Sequence, residues 1–181
     1  MKKQTMIEGA VFVVLVGFCV AMRVAEHAAN FAPVAAAALF AGFWFSRRAV
    51  ALLFPLVAMG LSDAFIGIYD VRIMAVVYAA MLFPVLWRAV LRARLTVVRV
   101  GLGALSGSAV FFVSTNLAVW AFGPLYPRTW TGLGECYVAA LPFFRNTLFG
   151  DLIWSTAFFG AYVLATRLAR SASRVPAAAT A

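Results

Sequence analysis

Apolar runs of membrane-spanning length follow one another through this chain with short polar breaks, and that pattern limits the fold more than any motif. The runs cover residues 7–24, 31–46, 49–69, 73–90, 97–122 and 147–166. Charged or turn-forming residues separate them at 23–30, Arg47-Arg48, Asp70-Val71-Arg72, 92–94 and 123–134. About 20 apolar residues cross a bilayer as a helix. The chain has 181 residues, 65% of them hydrophobic and 12% charged. A soluble domain carries about twice that charge, so a soluble enzyme, a nucleic-acid module and a disordered protein are excluded. The expected fold is all-α: a polytopic membrane protein of about six transmembrane helices, forming one domain over 1–170, with a flexible tail over 171–181.

The 31–46 run is short for a crossing. Its alanines predict a segment packed inside the bundle. Pro55 and Pro84 fall inside runs, where neighbouring helices satisfy the carbonyls that proline frees. Lys2 and Lys3 ahead of the first run imitate a signal peptide, but that run is long and no clear cleavage site follows. It is read as a retained helix.

The net charge of +9 follows from how membrane proteins are oriented. With the N-terminus inside, Arg23, Arg72, Arg128 and Arg145 fall outside. Lys2, Lys3, Arg47, Arg48, Arg88, Arg92, Arg94, Arg99, Arg167, Arg170 and Arg174 fall inside. Positive residues collect in cytoplasmic loops. Both termini are therefore expected in the cytoplasm, with the chain in a bacterial cytoplasmic (inner) membrane.

That orientation sorts the chemically unusual residues to the outer side. His27 and Asn30 lie between the first two runs, Asp63 in the third, and Asn116 in the fifth. Tyr137, Arg145, Asn146 and Asp151 follow in the stretch leading to the sixth. An ionisable group inside a span faces the bundle interior or a water-filled space, so Asp63 is a candidate solute contact. Asp63 paired with a cation such as Arg145, and Asn116 bonding a neighbouring helix, are the structural alternatives. Residues 134–145 read as a re-entrant or interfacial segment, either a lid or an anchor. Asn146 reads as a helix N-cap, with Asp151 in the turns that follow. Tyr126, Trp130 and Tyr137 suit an interfacial belt.

Cys19 and Cys136 are too few for a disulfide framework, and no metal-ligand spacing exists. Cys136 is a buried small hydrophobe or a soft-metal ligand, and His27 a solvated loop residue or a ligand contact. No metal and no cofactor is predicted. The P-loop, H-E-x-x-H and G-x-S-x-G signatures are missing, as are an arginine ladder and a selectivity filter. The chain is therefore expected not to be an enzyme. Small residues recur four apart at Gly17, Ala21 and Ala25, at Ala37 and Ala41, and at Gly103 and Gly107. Such stripes pack helices closely within the bundle or against another subunit.

Several stretches resemble a known group. They are Asn30-Phe31-x-Pro33-Val34-x-Ala36, Leu61-Ser62-Asp63 and Thr115-Asn116-x-x-Val119-Trp120. The most specific runs from Tyr126-Pro127-x-Thr129-x-x-Gly132-Leu133-x-x-Cys136-Tyr137 to Pro142-Phe143-Phe144-Arg145-Asn146-Thr147-Leu148-x-Gly150-Asp151. The chain resembles an uncharacterised family of small bacterial membrane proteins grouped with the S components of energy-coupling-factor (ECF) vitamin transporters. S components are six-helix subunits that capture a vitamin or metal ion from outside. They work with a coupling subunit driven by paired ATPases.

The resemblance implies an ECF S-component-like bundle with an outward pocket. It also implies an ECF coupling subunit and ATPases as partners, docked on Gly17, Ala21 and Ala25. It carries no particular solute. The alternative expectation is a small structural or accessory subunit of another membrane complex.

Overall fold

The structure, a computed structural model, describes residues 2–25 and 30–173, with backbone alone at Lys2 and Lys3. His27 lies outside the described residues. Seven α-helices follow in order: α1 (Lys2–Val24), α2 (Val34–Trp44), α3 (Arg48–Ile66), α4 (Val71–Leu82), α5 (Arg88–Ala93), α6 (Val97–Phe122) and α7 (Trp130–Ala172). A 3-10 turn, Phe83–Trp87, joins α4 to α5 around Pro84. No strand occurs among the described residues.

Five helical stretches are long and apolar enough to cross a membrane: Gln4–Val24, Arg48–Ile66, Val71–Ala93, Val97–Phe122 and Trp130–Ala172. Among the described residues, thirty large hydrophobic side chains are exposed, Val97, Ile68 and Phe65 among them. Water cannot solvate such a surface cheaply, and lipid can.

The remaining helix, α2, has 11 residues. At 1.5 Å per residue it spans about 16 Å, roughly half a hydrocarbon core. Every residue from Val34 to Gly42 is buried. A helix apolar all round belongs inside, so the alanine-rich 31–46 run packs internally, as its composition predicts. Leu39, Phe45, Phe54 and Leu91 are fully buried around it. Phe40 meets Phe159 with ring centroids 5.3 Å apart, and Phe43 meets Tyr162 at 5.0 Å, fastening α2 to α7. Small residues permit this closeness. A Cβ on Gly42 would stand 2.9 Å from the Val85 carbonyl oxygen, and one on Gly103 would stand 2.9 Å from Leu39 Cδ1.

The C-terminal end of a helix leaves unpaired carbonyls, and two arginines satisfy those of α2. Arg88 donates to the carbonyls of Gly42 (2.9 Å), Phe45 (2.5 Å) and Ser46 (2.5 Å). Arg92 donates to those of Phe43 (2.8 Å), Trp44 (3.1 Å) and Phe45 (2.8 Å). Both cations also sit at the negative end of the helix dipole. Glu8 of α1 accepts from the Ser46 backbone N–H and hydroxyl, tying α1 to the same corner.

The largest departure from the sequence reading is α7. It runs unbroken for 43 residues, about 64 Å. Residues 134–145 are its N-terminal part, continuous with the segment that follows rather than a separate piece. The N-cap is Thr129, whose hydroxyl accepts from the Gly132 N–H at 3.1 Å. Asn146 is therefore mid-helix and caps nothing at an N-terminus. Pro142 lies within the helix without ending it.

Candidate functional site

Two adjoining hollows open among α1, α3, α4, α6 and α7 at the end of the bundle where Asn30 lies. The first, of about 250 Å³, is bordered by Arg23, Asn30, Met59, Tyr69, Phe111 and Asp151, among others. The second, of about 190 Å³, lies between α6 and α7 against Asn116, Phe112, Ala140 and Phe144. Asn30, Phe111 and Thr147 border both, so they form the seam. Asn30 turns the chain toward α2 with a positive φ of 61°, a conformation asparagine tolerates better than most residues. Close behind it, Phe31 presses on α7. The Trp154 indole donates to the Phe31 carbonyl at 2.9 Å, and a Cβ on Gly150 would stand 3.3 Å from Phe31 Cα.

The charged wall is built from α1 and α3. Arg23 Nη2 lies 2.8 Å from Asp63 Oδ1. Arg23 Nη1 also reaches the Ser62 hydroxyl and, at 3.4 Å, the Met59 carbonyl. The other Asp63 oxygen accepts from the Tyr78 hydroxyl of α4 at 2.8 Å. Asp63 is 4% exposed and sits behind Arg23, which itself borders the hollow. A buried carboxylate persists when paired and hydrogen-bonded, and here both of its oxygens are. Tyr69 follows α3 at the rim. Burial first, and the Asp63 charge second, push its phenol upward, so it stays a neutral donor.

The other wall belongs to α6 and α7. Asp151 is 4% exposed and borders the first hollow, with Ser108 Oγ 2.6 Å from its Oδ2. Thr147, buried one turn earlier, returns its hydroxyl to the Phe143 carbonyl at 3.0 Å. Asn116 faces the second hollow and gives its amide to the Phe112 carbonyl at 2.8 Å.

The structure thus gathers Asn30, Asn116 and Asp151 around one space and sets Asp63 just behind its wall. Of the other expected residues that are described, Arg145, Asn146 and Tyr137 do not border it. Arg145 is exposed and is not the Asp63 partner; Arg23 is. Tyr137 packs on Phe112, and its hydroxyl donates to the Val113 carbonyl at 2.7 Å. Asn146 is half-buried on α7. Cys136 is buried with its thiol 3.4 Å from the Asn116 carbonyl oxygen. No cluster of three metal-ligating side chains occurs among the described residues.

Sequence reasoning passed over Arg23, Tyr69, Tyr78, Ser108 and Thr147 as contributors. Arg23 stands at the very end of an apolar run, a position that does not by itself point inward.

The stripes of small residues divide. Ala37, Ala41, Gly103 and Gly107 are buried and pack the bundle. Gly17, Ala21 and Ala25 are exposed along α1, and nothing lies within 4 Å of a Cβ placed on Gly17. A larger, wide-open hollow of about 770 Å³ lies at the opposite end beside Glu8, Trp44 and Arg92. Its floor is the arginine-capped end of α2, so it reads as a crevice between helix ends.

These features define a multi-pass α-helical membrane protein with a hollow at one end of its bundle that a few polar residues border. The chain belongs to the family described as Family of unknown function (DUF6580), whose family model matches residues 3–175. No curated protein and no solved structure matches it.

Proposed function

We propose that this protein is a solute-capturing membrane subunit, similar to the S components of ECF vitamin transporters. One observation carries the reading: a cavity in this apolar bundle is bordered by Arg23, Asn30 and Asp151, with Arg23 and the buried Asp63 paired in its wall. Buried ionisable groups are expensive in a membrane and mark binding sites or solute paths. A purely structural bundle would pack that space with apolar side chains.

Under this reading both termini lie in the cytoplasm and the cavity faces outward from a bacterial inner membrane. The solute is small, such as a vitamin, and is passed on with an ATPase-driven partner. The open Gly17, Ala21 and Ala25 face of α1 is where a coupling subunit's helix would pack, because small residues let backbones approach. That same face favours the second reading, an accessory subunit of a different membrane complex.

The test is affinity purification of the tagged chain from gently solubilised membranes of its own cell. Co-purified coupling and ATPase subunits support solute capture. Stoichiometric recovery of an unrelated assembly, with an empty cavity, supports the accessory reading. Once a solute is identified, unchanged uptake in both Asp63→Ala and Asn116→Ala would show the cavity is not its site.

A further inference from the structure

Among the described residues, the charges around the cavity do not balance. Arg23 is answered by Asp63 at 2.8 Å. Asp151, on α7, has no cation within ion-pair reach among the described residues. It is 4% exposed, it borders the cavity, and its Oδ1 accepts from no described group. A buried carboxylate left this way is costly.

Resting on the capture reading, we propose that the solute is a compact organic cation whose ammonium-type N–H donates to Asp151. Its charge supplies what the wall lacks. Its N–H meets the open oxygen. Arg23 does not compete for Asp151, because its guanidinium is held by Asp63, Ser62 and the Met59 carbonyl.

Ser108 equips Asp151 for two states. Its single hydroxyl hydrogen has two acceptors in reach, Asp151 Oδ2 at 2.6 Å and the Ala104 carbonyl at 3.1 Å. In the empty cavity the hydrogen is shared between the two; with a cation seated it turns to the carboxylate, which then accepts from Ser108 on one oxygen and from the solute on the other.

The remaining walls suit the body of such a solute. Phe111 and Tyr69 present rings, which attract cations, and Met59 and Met81 present adaptable apolar surface. The 250 Å³ first hollow holds roughly eight waters at about 30 Å³ each, so a single ring with a short amine arm fits.

Three probes of one shape test this at neutral pH: benzylammonium, benzyl alcohol and benzoate. Binding is read as ligand-dependent thermal stabilisation of the purified full chain in detergent. The expected result is benzylammonium binding at least about tenfold tighter than the alcohol, the worth of one charge-assisted bond, with benzoate weakest. Asp151→Asn should abolish that preference. Ala35→Phe, which fills the hollow, should block all three.

Equal binding of alcohol and ammonium, blocked by Ala35→Phe, overturns the charge reading and leaves capture standing. Preference for benzoate, an ammonium preference that survives Asp151→Asn, or no stabilisation by any probe also overturns it. A solute released from native membranes would in the last case still uphold capture on its own.

Discussion

Arg23 of α1 and Asp63 of α3 stand 2.8 Å apart, and this contact couples the helix with the open glycine face to the wall of the cavity. Tyr78 on α4 completes the group through its bond to the second Asp63 oxygen. Three helices therefore meet on one carboxylate. Movement of α1 against a partner would be felt at Arg23, on the cavity border.

Removing one member of a buried ion pair strands the other, which costs about 3–5 kcal/mol. Arg23 is partly open to the cavity, so Asp63→Ala is expected near the lower end, about 3 kcal/mol. The double change Arg23→Met with Asp63→Leu should cost less than Asp63→Ala alone. Unfolding titrations in mixed detergent micelles measure both. A double variant as damaged as the sum of its singles would show that the pair does not act as a unit.

Arg88 holds the carbonyls of Gly42, Phe45 and Ser46; Arg92 also serves Phe45, whereas Gly42 is buried and its carbonyl has Arg88 as its side-chain donor. Arg88→Ala should lower stability by about 2 kcal/mol, the cost of leaving a buried acceptor without a donor. Hydrogen exchange should then rise selectively at the C-terminal end of α2. Unchanged exchange there would mean that Arg92 alone suffices.

The parts of this fold legible in the sequence are those where one physical demand dominates. Long apolar runs have one destination, so α1, α3 and α6 stand near their expected limits. The alanine run is buried as α2 because such a short apolar segment cannot cross alone. Asp63 stood out because a carboxylate in an apolar run needs a partner. Which partner was not legible. Arg23 falls where a span meets its loop, and cations there ordinarily reach the headgroups.

The 123–151 stretch misled for a different reason. Gly-Pro and Tyr-Pro do mark the break between α6 and α7, but Gly134 and Pro142 are also breakers in water, where the chain has other hydrogen-bond partners. In a membrane-embedded bundle the helix is the cheapest way to satisfy the backbone, and α7 runs through Gly134 and Pro142. That moved Asn146 and Asp151 from an expected helix start to a helix interior, and made Asp151 a cavity residue.

Two glycine substitutions should separate internal packing from open surface. Gly42→Ala would place a Cβ 2.9 Å from the Val85 carbonyl oxygen and 3.1 Å from its Cα, both backbone. A cost of about 1–3 kcal/mol is expected from this overpacking. Gly17→Leu meets open space and should change stability by less than about 0.5 kcal/mol. Recovery of any partner with the Gly17→Leu chain should fall, because bulk replaces a close-approach surface. Equal thermal destabilisation of the two variants would contradict the division.

Asp70 caps α4, accepting from the backbone N–H groups of Arg72 and Ile73 while also bridging the Arg72 guanidinium. The Arg72 side chain first, with the two N–H groups, holds its carboxyl down to about 2. A carboxyl lowered on folding stabilises the folded state fully above the ordinary aspartate range. That contribution fades as pH falls from there through about 2. A carboxyl-carbon NMR titration should show Asp70 still ionised at pH 3, and Arg72→Gln should move its midpoint upward. A midpoint in the ordinary range for the wild type would mean that the cap is not formed.

Native mass spectrometry of the chain released from its own membranes tests solute capture most directly, with Ala35→Phe measured beside the wild type. The wild type should carry a single small-molecule adduct, and the folded Ala35→Phe chain, its cavity filled, should carry none. A wild type that arrives bare, or an adduct that persists with the cavity filled, would contradict capture at this site.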